Sequence, residues 1–212
     1  MNINVVHVVL IVVISYLLGS IPTAYLIAQF KHIDIFQVGS GNMGATNVAR
    51  SLGFKWGLLV WFFDSAKGII AVLIAGHIMG YNRAAATTIS AIVAIVGHNW
   101  SLFATLLTGS IRGGKGAATA FGTLLMIAPA QTILVGFALA GTIIILTRYM
   151  SLGVLLMFSL SFSWIAILSL QRQMPMEFVF YSFSMGGLIL LRFRENIERL
   201  LAGTERRLGD PA

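Results

Sequence analysis

Ala117 to Thr147 reads AATAFGTLLMIAPAQTILVGFALAGTIIILT, 31 residues without a charged side chain. A helix rises about 1.5 Å per residue, and about 20 residues cross the hydrocarbon core of a bilayer. This stretch is too long for one span. Pro129 sits near its middle, where it lacks an amide donor and breaks a helix. The stretch therefore predicts a short helix over about 115–127 and a longer one over about 129–147. Working outward, the other apolar runs predict spans over about 4–29, 56–79, 84–104, 151–170 and 175–192, with a tail over 193–212 that stays helical to about Leu201 along the interface. The expectation is an all-α integral membrane protein. It has seven transmembrane helices in one membrane domain, 1–212, with short re-entrant or interfacial polar loops on the cytoplasmic side.

The split at Pro129 also fixes the topology. With seven spans, eleven of the 14 Lys and Arg residues share one side, Arg83 and Arg172 lie on the other, and Lys67 lies within a span. Basic residues concentrate on the cytoplasmic side of membrane proteins, so the N-terminus is expected outside and the C-terminus inside. A single unbroken span over 117–147 would move everything from Arg148 onward across the membrane and erase the asymmetry. Composition agrees: 58% of residues are hydrophobic and 10% charged, where a soluble domain carries about 25% charged. The net charge of +7 is thinly spread and brackets apolar runs. That pattern points to anionic lipid headgroups and anionic substrates and away from nucleic acid. The absence of cysteine excludes disulfides and thiolate chemistry. Val5 to Ala28 has no basic residue before it and exceeds the ~7–15 residues of a signal-peptide core, so it reads as a retained span. Gly57, Gly76, Gly136 and Gly141 are expected to serve close helix packing in lipid.

Three polar clusters interrupt this apolar chain, all on the predicted cytoplasmic side. The first is Ser40-Gly41-Asn42-Met43-Gly44-Ala45-Thr46-Asn47, with Arg50 one helical turn beyond. Gly39, Gly41 and Gly44 permit backbone conformations that let successive amides face one concavity, and Asn42, Thr46 and Asn47 add neutral donors. The second is Gly113-Gly114-Lys115-Gly116. It resembles a nucleotide-binding loop in spacing, but Gly116 stands where a magnesium-binding Ser or Thr is needed, and no strand precedes it. It suits an anion at the start of a helix, with Lys115 as a point charge. The third is Arg192 to Arg199, where helical spacing puts Arg192, Asn196 and Arg199 on one face. Arg199, Arg206 and Arg207 read as lipid anchors. Asp64 and Lys67, at i and i+3 within a span, are expected to pair with each other. His98 is either an interface residue or a base. His7, His32 and His77 have no partners at ligand spacing, so no protein-bound metal is expected; no cofactor is expected either.

In their order along the chain, these residues resemble the bacterial acyl-phosphate-dependent glycerol-3-phosphate acyltransferases. The resemblance runs from Gly19-Ser20-Ile21-Pro22 through Gly39 to Arg50. It continues through Asp64-Ser65-Ala66-Lys67-Gly68, Gly97-His98-Asn99-Trp100, Gly113 to Thr119 and Arg148 to Gly153, and ends in Arg194 to Leu200. It implies a seven-span enzyme of the bacterial plasma membrane that moves a fatty acyl group from acyl phosphate to the 1-hydroxyl of glycerol 3-phosphate. The products are lysophosphatidic acid and phosphate, in phospholipid synthesis. The catalytic residues implied are Asn47, Lys115, Asn196 and His98. The substrate-binding residues are Ser40, Gly41, Asn42, Gly44, Thr46, Arg50, Gly113, Gly114, Ser151 and Arg194. Three departures stand out: Ser101 replaces a usual proline, the run from His98 to Gly113 is longer than usual, and Phe193 replaces a histidine.

The implied partners are acyl phosphate, glycerol 3-phosphate and membrane lipids. With no thiol and no Ser–His–acid set in view, direct attack by the glycerol hydroxyl is expected, without an acyl-enzyme. The departing phosphate or His98 takes the proton. Two other readings stay open on the sequence: a transporter of an organic phosphate, and a divergent member acting on another phospho-alcohol. Against transport, the clusters lie at one face and no inverted repeat is visible.

Overall fold

The computed structural model describes residues 4–209. The outermost residues of the expected 1–212 domain, and both chain ends, lie outside the described residues. The chain divides into two compact units, one ending at Met126 and one beginning at Ile127. The described residues form helices, turns and loops, with no strand among them.

The first unit holds α1 (Val5–Gly19), α2 (Thr23–Phe30), α3 (Ala45–Leu52), α4 (Phe54–Ile78), α5 (Arg83–Asn99), α6 (Leu102–Thr108) and nearly all of α7 (Ala117–Ile127). α1 packs on α4 and α5, α5 packs on α4, and α3 lies along α4. The expected span over 4–29 is two helices. Pro22 has no amide hydrogen to continue α1, and the chain breaks at Ser20-Ile21-Pro22 before α2 begins at Thr23. The expected span over 84–104 likewise divides at Trp100-Ser101. There the Ser101 hydroxyl caps α6 by accepting from Ala104 N at 3.1 Å. α7 begins at Ala117 and not at 115, because Gly116 takes a left-handed φ of +78° that ends the loop.

The second unit holds α8 (Ala130–Thr147), α9 (Met150–Leu170) and α10 (Glu177–Leu201), with α9 packed on both neighbours. Phe158 stacks on Phe162 at 5.3 Å, and Phe162 meets the ring of Tyr181 edge-on at 5.7 Å. α10 ends at Leu201, where the sequence places the end of the helical part of the tail. The expected last span and the helical part of the tail are one unbroken helix, because no Gly or Pro lies between Leu188 and Leu201, and Gly203, with φ +70°, follows its end.

Polarity is inverted relative to a soluble protein. Asp64, Lys67, Ser90, Asn99 and Thr123 are buried, while Phe62, Leu134, Ile145, Phe180 and Phe183 are exposed. Apolar side chains facing outward suit lipid. Five segments are long and apolar enough to cross a membrane: Val5–Phe30, Phe54–Ile78, Gly80–Thr108, Ala130–Thr147 and Met150–Leu170. The chain is a multi-pass membrane protein.

Small residues do carry the close helix contacts, though not always the expected ones. A Cβ on Gly57 would lie 2.4 Å from Ala49 Cβ, and one on Gly136 would meet Met157 and Ser161 at 3.1 Å. Gly76 approaches only the Arg83 side chain, and Gly141 has nothing within 4 Å. The tightest approaches are at Gly19 on Ala94 and at Gly122 on Ser65, each with 2.0 Å from the added Cβ to a backbone oxygen. Hydropathy marks a residue as intramembrane but does not say which way it points.

Candidate functional site

Asn47 organises the first loop. It sits in the first turn of α3, 3% exposed, and its amide is spent on the backbone before it. Oδ1 accepts from Ser40 N at 2.8 Å. Nδ2 donates to the carbonyls of Ile35 (3.3 Å), Val38 (3.1 Å) and Asn42 (3.1 Å). One side chain thus closes residues 35–42 into a fixed loop. Gly39 and Gly41 take left-handed φ values of +57° and +66°. A Cβ on Gly39 would meet Asn47 Oδ1 at 2.2 Å. Gly44 differs from expectation: its φ of −134° is ordinary extended backbone, and it serves as the N-cap of α3 with open space around it. Ser40 and Thr46 are exposed, and Arg50 is half-buried in the last turn of α3.

The second loop is clamped onto the end of α5. Ser101 N donates to Arg112 O at 2.9 Å, and Gly114 N donates to His98 O at 3.0 Å. The glycines are needed for this approach. A Cβ on Gly113 would lie 2.0 Å from Asn99 O. One on Gly114 would lie 2.1 Å from His98 Nε2 and 2.7 Å from Met43 O. Gly114 is therefore wedged between His98 and the first loop. The two clusters, about 70 residues apart in sequence, meet there in space. Lys115 is half-buried on the same loop. Ser101 fills the expected proline position with bonds a proline lacks: its amide bonds Arg112, and its hydroxyl donates to Ser20 O at 2.5 Å.

Beneath His98 lies a buried ionic cluster. Lys67 Nζ is 2.7 Å from Asp64 Oδ1, the i,i+3 pair expected from sequence. Thr23 Oγ1 donates to the same Asp64 oxygen at 3.0 Å, and Lys67 Nζ donates to Ile21 O at 2.9 Å. The carbonyl released by the helix break at Pro22 thus receives a partner. His98 Nδ1 stands 3.8 Å from Asp64 Oδ1, too far for a hydrogen bond but close enough for charge to matter. Ile21, Thr23, Met43, Asp64, His98 and Ser101 line a narrow crevice at this junction. Sequence reading did not assign Thr23 or Ile21 a role, because each is a short polar or backbone group inside an apolar run. No group of three or more His, Asp or Glu residues suited to a metal occurs among the described residues.

The second unit carries a separate cluster. Glu205 accepts from Ser151 Oγ at 2.9 Å and Asn196 Nδ2 at 2.6 Å through Oε1, and from Arg199 Nε at 2.7 Å through Oε2. Its side chain is 7% exposed, as is Asn196. Arg148, itself left-handed at φ +63°, donates through Nε to Leu208 O at 2.9 Å and accepts from Leu208 N at 2.7 Å. The tail is thereby strapped to the turn between α8 and α9. Ser151 and Asn196, both expected in the site, are brought together by Glu205, which sequence reading missed. The available signal was a lone acid in the basic tail Thr204-Glu205-Arg206-Arg207. Arg194 is exposed, whereas Phe193 is buried at 6%.

Residues 9–203 match the family model described as glycerol-3-phosphate acyltransferase. The chain is 40% identical over 201 residues to a glycerol-3-phosphate acyltransferase of Halalkalibacterium halodurans, covering 94% of this chain and 95% of that protein. It is 44% identical over 199 residues to one of Thermus thermophilus, covering 94% of each. The fold is similar to the crystal structure of PlsY (YgiH), an integral membrane glycerol 3-phosphate acyltransferase, in its glycerol 3-phosphate form. The TM-score is 0.84 at 38% identity over 95% of this chain and 96% of that one. The lysophosphatidic acid form of PlsY gives 0.82 at 37% identity, covering 95% of each chain.

Proposed function

The chain belongs to the glycerol-3-phosphate acyltransferase family, and we propose from that premise how its residues perform the transfer. It is an acyltransferase of phospholipid synthesis. The donor is acyl phosphate, and the acceptor is the 1-hydroxyl of glycerol 3-phosphate. The hydroxyl oxygen attacks the acyl carbonyl carbon, a tetrahedral oxyanion forms, and the bond to the phosphate oxygen breaks. Lysophosphatidic acid and inorganic phosphate result. Both substrates carry phosphate and one carries a long chain, worth about 0.8 kcal/mol per buried methylene. A site at the water interface leaves that chain in lipid while both phosphates stay hydrated.

The observation that carries this reading is the convergence of the two loops at Gly114, against Met43 O and His98. Convergence brings the first loop and the start of α3, with the exposed Ser40 and Thr46 and the half-buried Arg50, beside the glycine loop that carries the half-buried Lys115. Gly41, Asn42, Gly44, Gly113 and Gly114 serve by shaping these loops, and the amides of Gly41, Gly44 and Gly114 are already bonded to Val38 O, Asn42 O and His98 O. Acyl phosphate is already activated, so the work left to the protein is orientation and stabilisation of developing charge. Lys115 and Arg50 supply cations to the phosphates. Asn47 and His98 take part by holding the loops in shape. The departing phosphate accepts the hydroxyl proton, since His98 is 5% exposed and its ring is enclosed by Asp64 and Gly114. Ser151, Arg194 and Asn196 form a further anion-holding group, a reading supported by the carboxylate that Ser151 and Asn196 already bind.

The membrane reading extends to seven spans in the plasma membrane, N-terminus outside and C-terminus cytoplasmic. It is supported by the basic asymmetry and by the break at Pro129 between α7 and α8. At 11 residues, α7 is about 16 Å long. Single cysteines introduced into the cysteine-free chain at 150 or 210 are expected to resist label from outside, and outside labelling overturns the orientation. The activity is tested with purified protein in nanodiscs, palmitoyl phosphate and glycerol 3-phosphate, reading released phosphate. Lys115→Ala and Arg50→Ala are each expected to cost about 10–150-fold, one charge-assisted bond to phosphate. Release of phosphate that does not depend on glycerol 3-phosphate would refute the assignment.

A further inference from the structure

Asn99 is the last residue of α5 and is 1% exposed. Neither Oδ1 nor Nδ2 of its amide has a hydrogen-bond partner among the described residues. A buried amide left unpaired is unfavourable, and an apolar residue of similar size removes the cost, so its presence asks for a reason. Its neighbours supply one. A Cβ on Gly116 would lie 2.7 Å from Asn99 Oδ1, and one on Gly113 would lie 2.0 Å from Asn99 O. The backbone on either side is already tied to the same loop, through Gly114 N to His98 O and Ser101 N to Arg112 O. These two backbone bonds are made, and the Asn99 side chain, pressed against the same loop, makes none.

We propose that Asn99 is a positioning residue for glycerol 3-phosphate. Its Nδ2 donates to a carbonyl of the 113–116 backbone, and its Oδ1 accepts from one N–H there, as the other N–H groups of that segment turn onto the phosphate. Burial keeps Asn99 from the substrate itself, so it acts through the loop. A group unpaired in one loop arrangement and paired in another biases the loop toward the second, and phosphate binding draws on that bias. Both halves of the amide are needed: a backbone segment offers donors and acceptors, leucine offers neither, and aspartate offers only acceptors and sets a negative charge beside an anion. The inference rests on the acyltransferase reading above.

The test uses the full chain in nanodiscs. It compares wild type with Asn99→Leu and Asn99→Asp by steady-state kinetics and by thermal unfolding with and without glycerol 3-phosphate. The expected result for Asn99→Leu is a thermal midpoint at or above wild type, with KM for glycerol 3-phosphate raised about tenfold, the worth of roughly one hydrogen bond. KM for palmitoyl phosphate stays the same, and Asn99→Asp raises KM further. An Asn99→Leu protein with unchanged KM overturns the proposal. So does one with a lowered midpoint and no change in thermal stabilisation by glycerol 3-phosphate, which marks a purely structural amide. If wild type releases no phosphate with palmitoyl phosphate, the acyltransferase reading fails by itself. The stabilisation by glycerol 3-phosphate, present in wild type and lost in Asn99→Leu, then still decides the role of Asn99.

Discussion

Replacing Gly114 by alanine puts one methyl group at the junction of the two loops. That carbon would lie 2.1 Å from His98 Nε2, 2.9 Å from His98 Cδ2 and 2.7 Å from Met43 O, where ordinary contact begins at 3.4 Å. Something must therefore move by more than about 1 Å. His98 has little room to retreat: it is buried, with Asp64 3.8 Å behind it, and Asp64 is pinned by Thr23 and Lys67. Met43 presents backbone, not a flexible side chain. The glycine loop itself yields, carrying Lys115 with it. Overpacking of this kind costs about 1–3 kcal/mol, which at ~2–4 °C per kcal/mol lowers the thermal midpoint by several degrees. A 1 Å misplacement of positioning groups costs about 100-fold in rate. We expect Gly114→Ala to fold, to unfold several degrees lower, and to lose about two orders of magnitude in kcat/KM, read by phosphate release from palmitoyl phosphate. Gly141→Ala is the control, since nothing lies within 4 Å of its added carbon. It should match wild type in both measurements. Gly114→Ala with wild-type kcat/KM would refute the claim that the two loops are held together at this residue.

The Asp64–Lys67 pair makes a second prediction. Lys67→Met leaves a buried carboxylate unpaired and should destabilise by about 3–5 kcal/mol, whereas Asp64→Leu with Lys67→Met should recover most of it; thermal unfolding of the single and double variants decides, and a double variant less stable than the single contradicts the pairing. A third concerns Glu205, which draws a charge-assisted bond from Asn196. Asn196→Ala should cost about 1.5–3 kcal/mol and much of the activity, and Asn196→Asp should be worse because it sets a second carboxylate against Glu205; an Asn196→Asp variant as stable and active as wild type would remove Asn196 from this cluster.

The sequence alone determined the membrane class, the apolar segments and the three polar clusters, because these follow from local composition and the length a bilayer demands. It also determined the helix break at Pro129 and the Asp64–Lys67 pair, which are matters of spacing within one helix. What it left open was direction and partnership. Asn47 reads as a donor available to substrate, yet its amide is consumed by Ile35, Val38, Ser40 and Asn42. Gly114 reads as a supplier of free amides, yet its amide bonds His98 O, and its missing side chain is what lets Met43 and His98 close on it. Glu205 reads as one acid in a basic tail until the tail folds back and three donors surround it. Each of these contacts joins residues that only the fold brings together, several of them tens of positions apart. Hydropathy and motif spacing are properties of a segment, whereas the pairing of a buried polar group depends on whatever backbone the fold delivers beside it. Only the tertiary structure decides that.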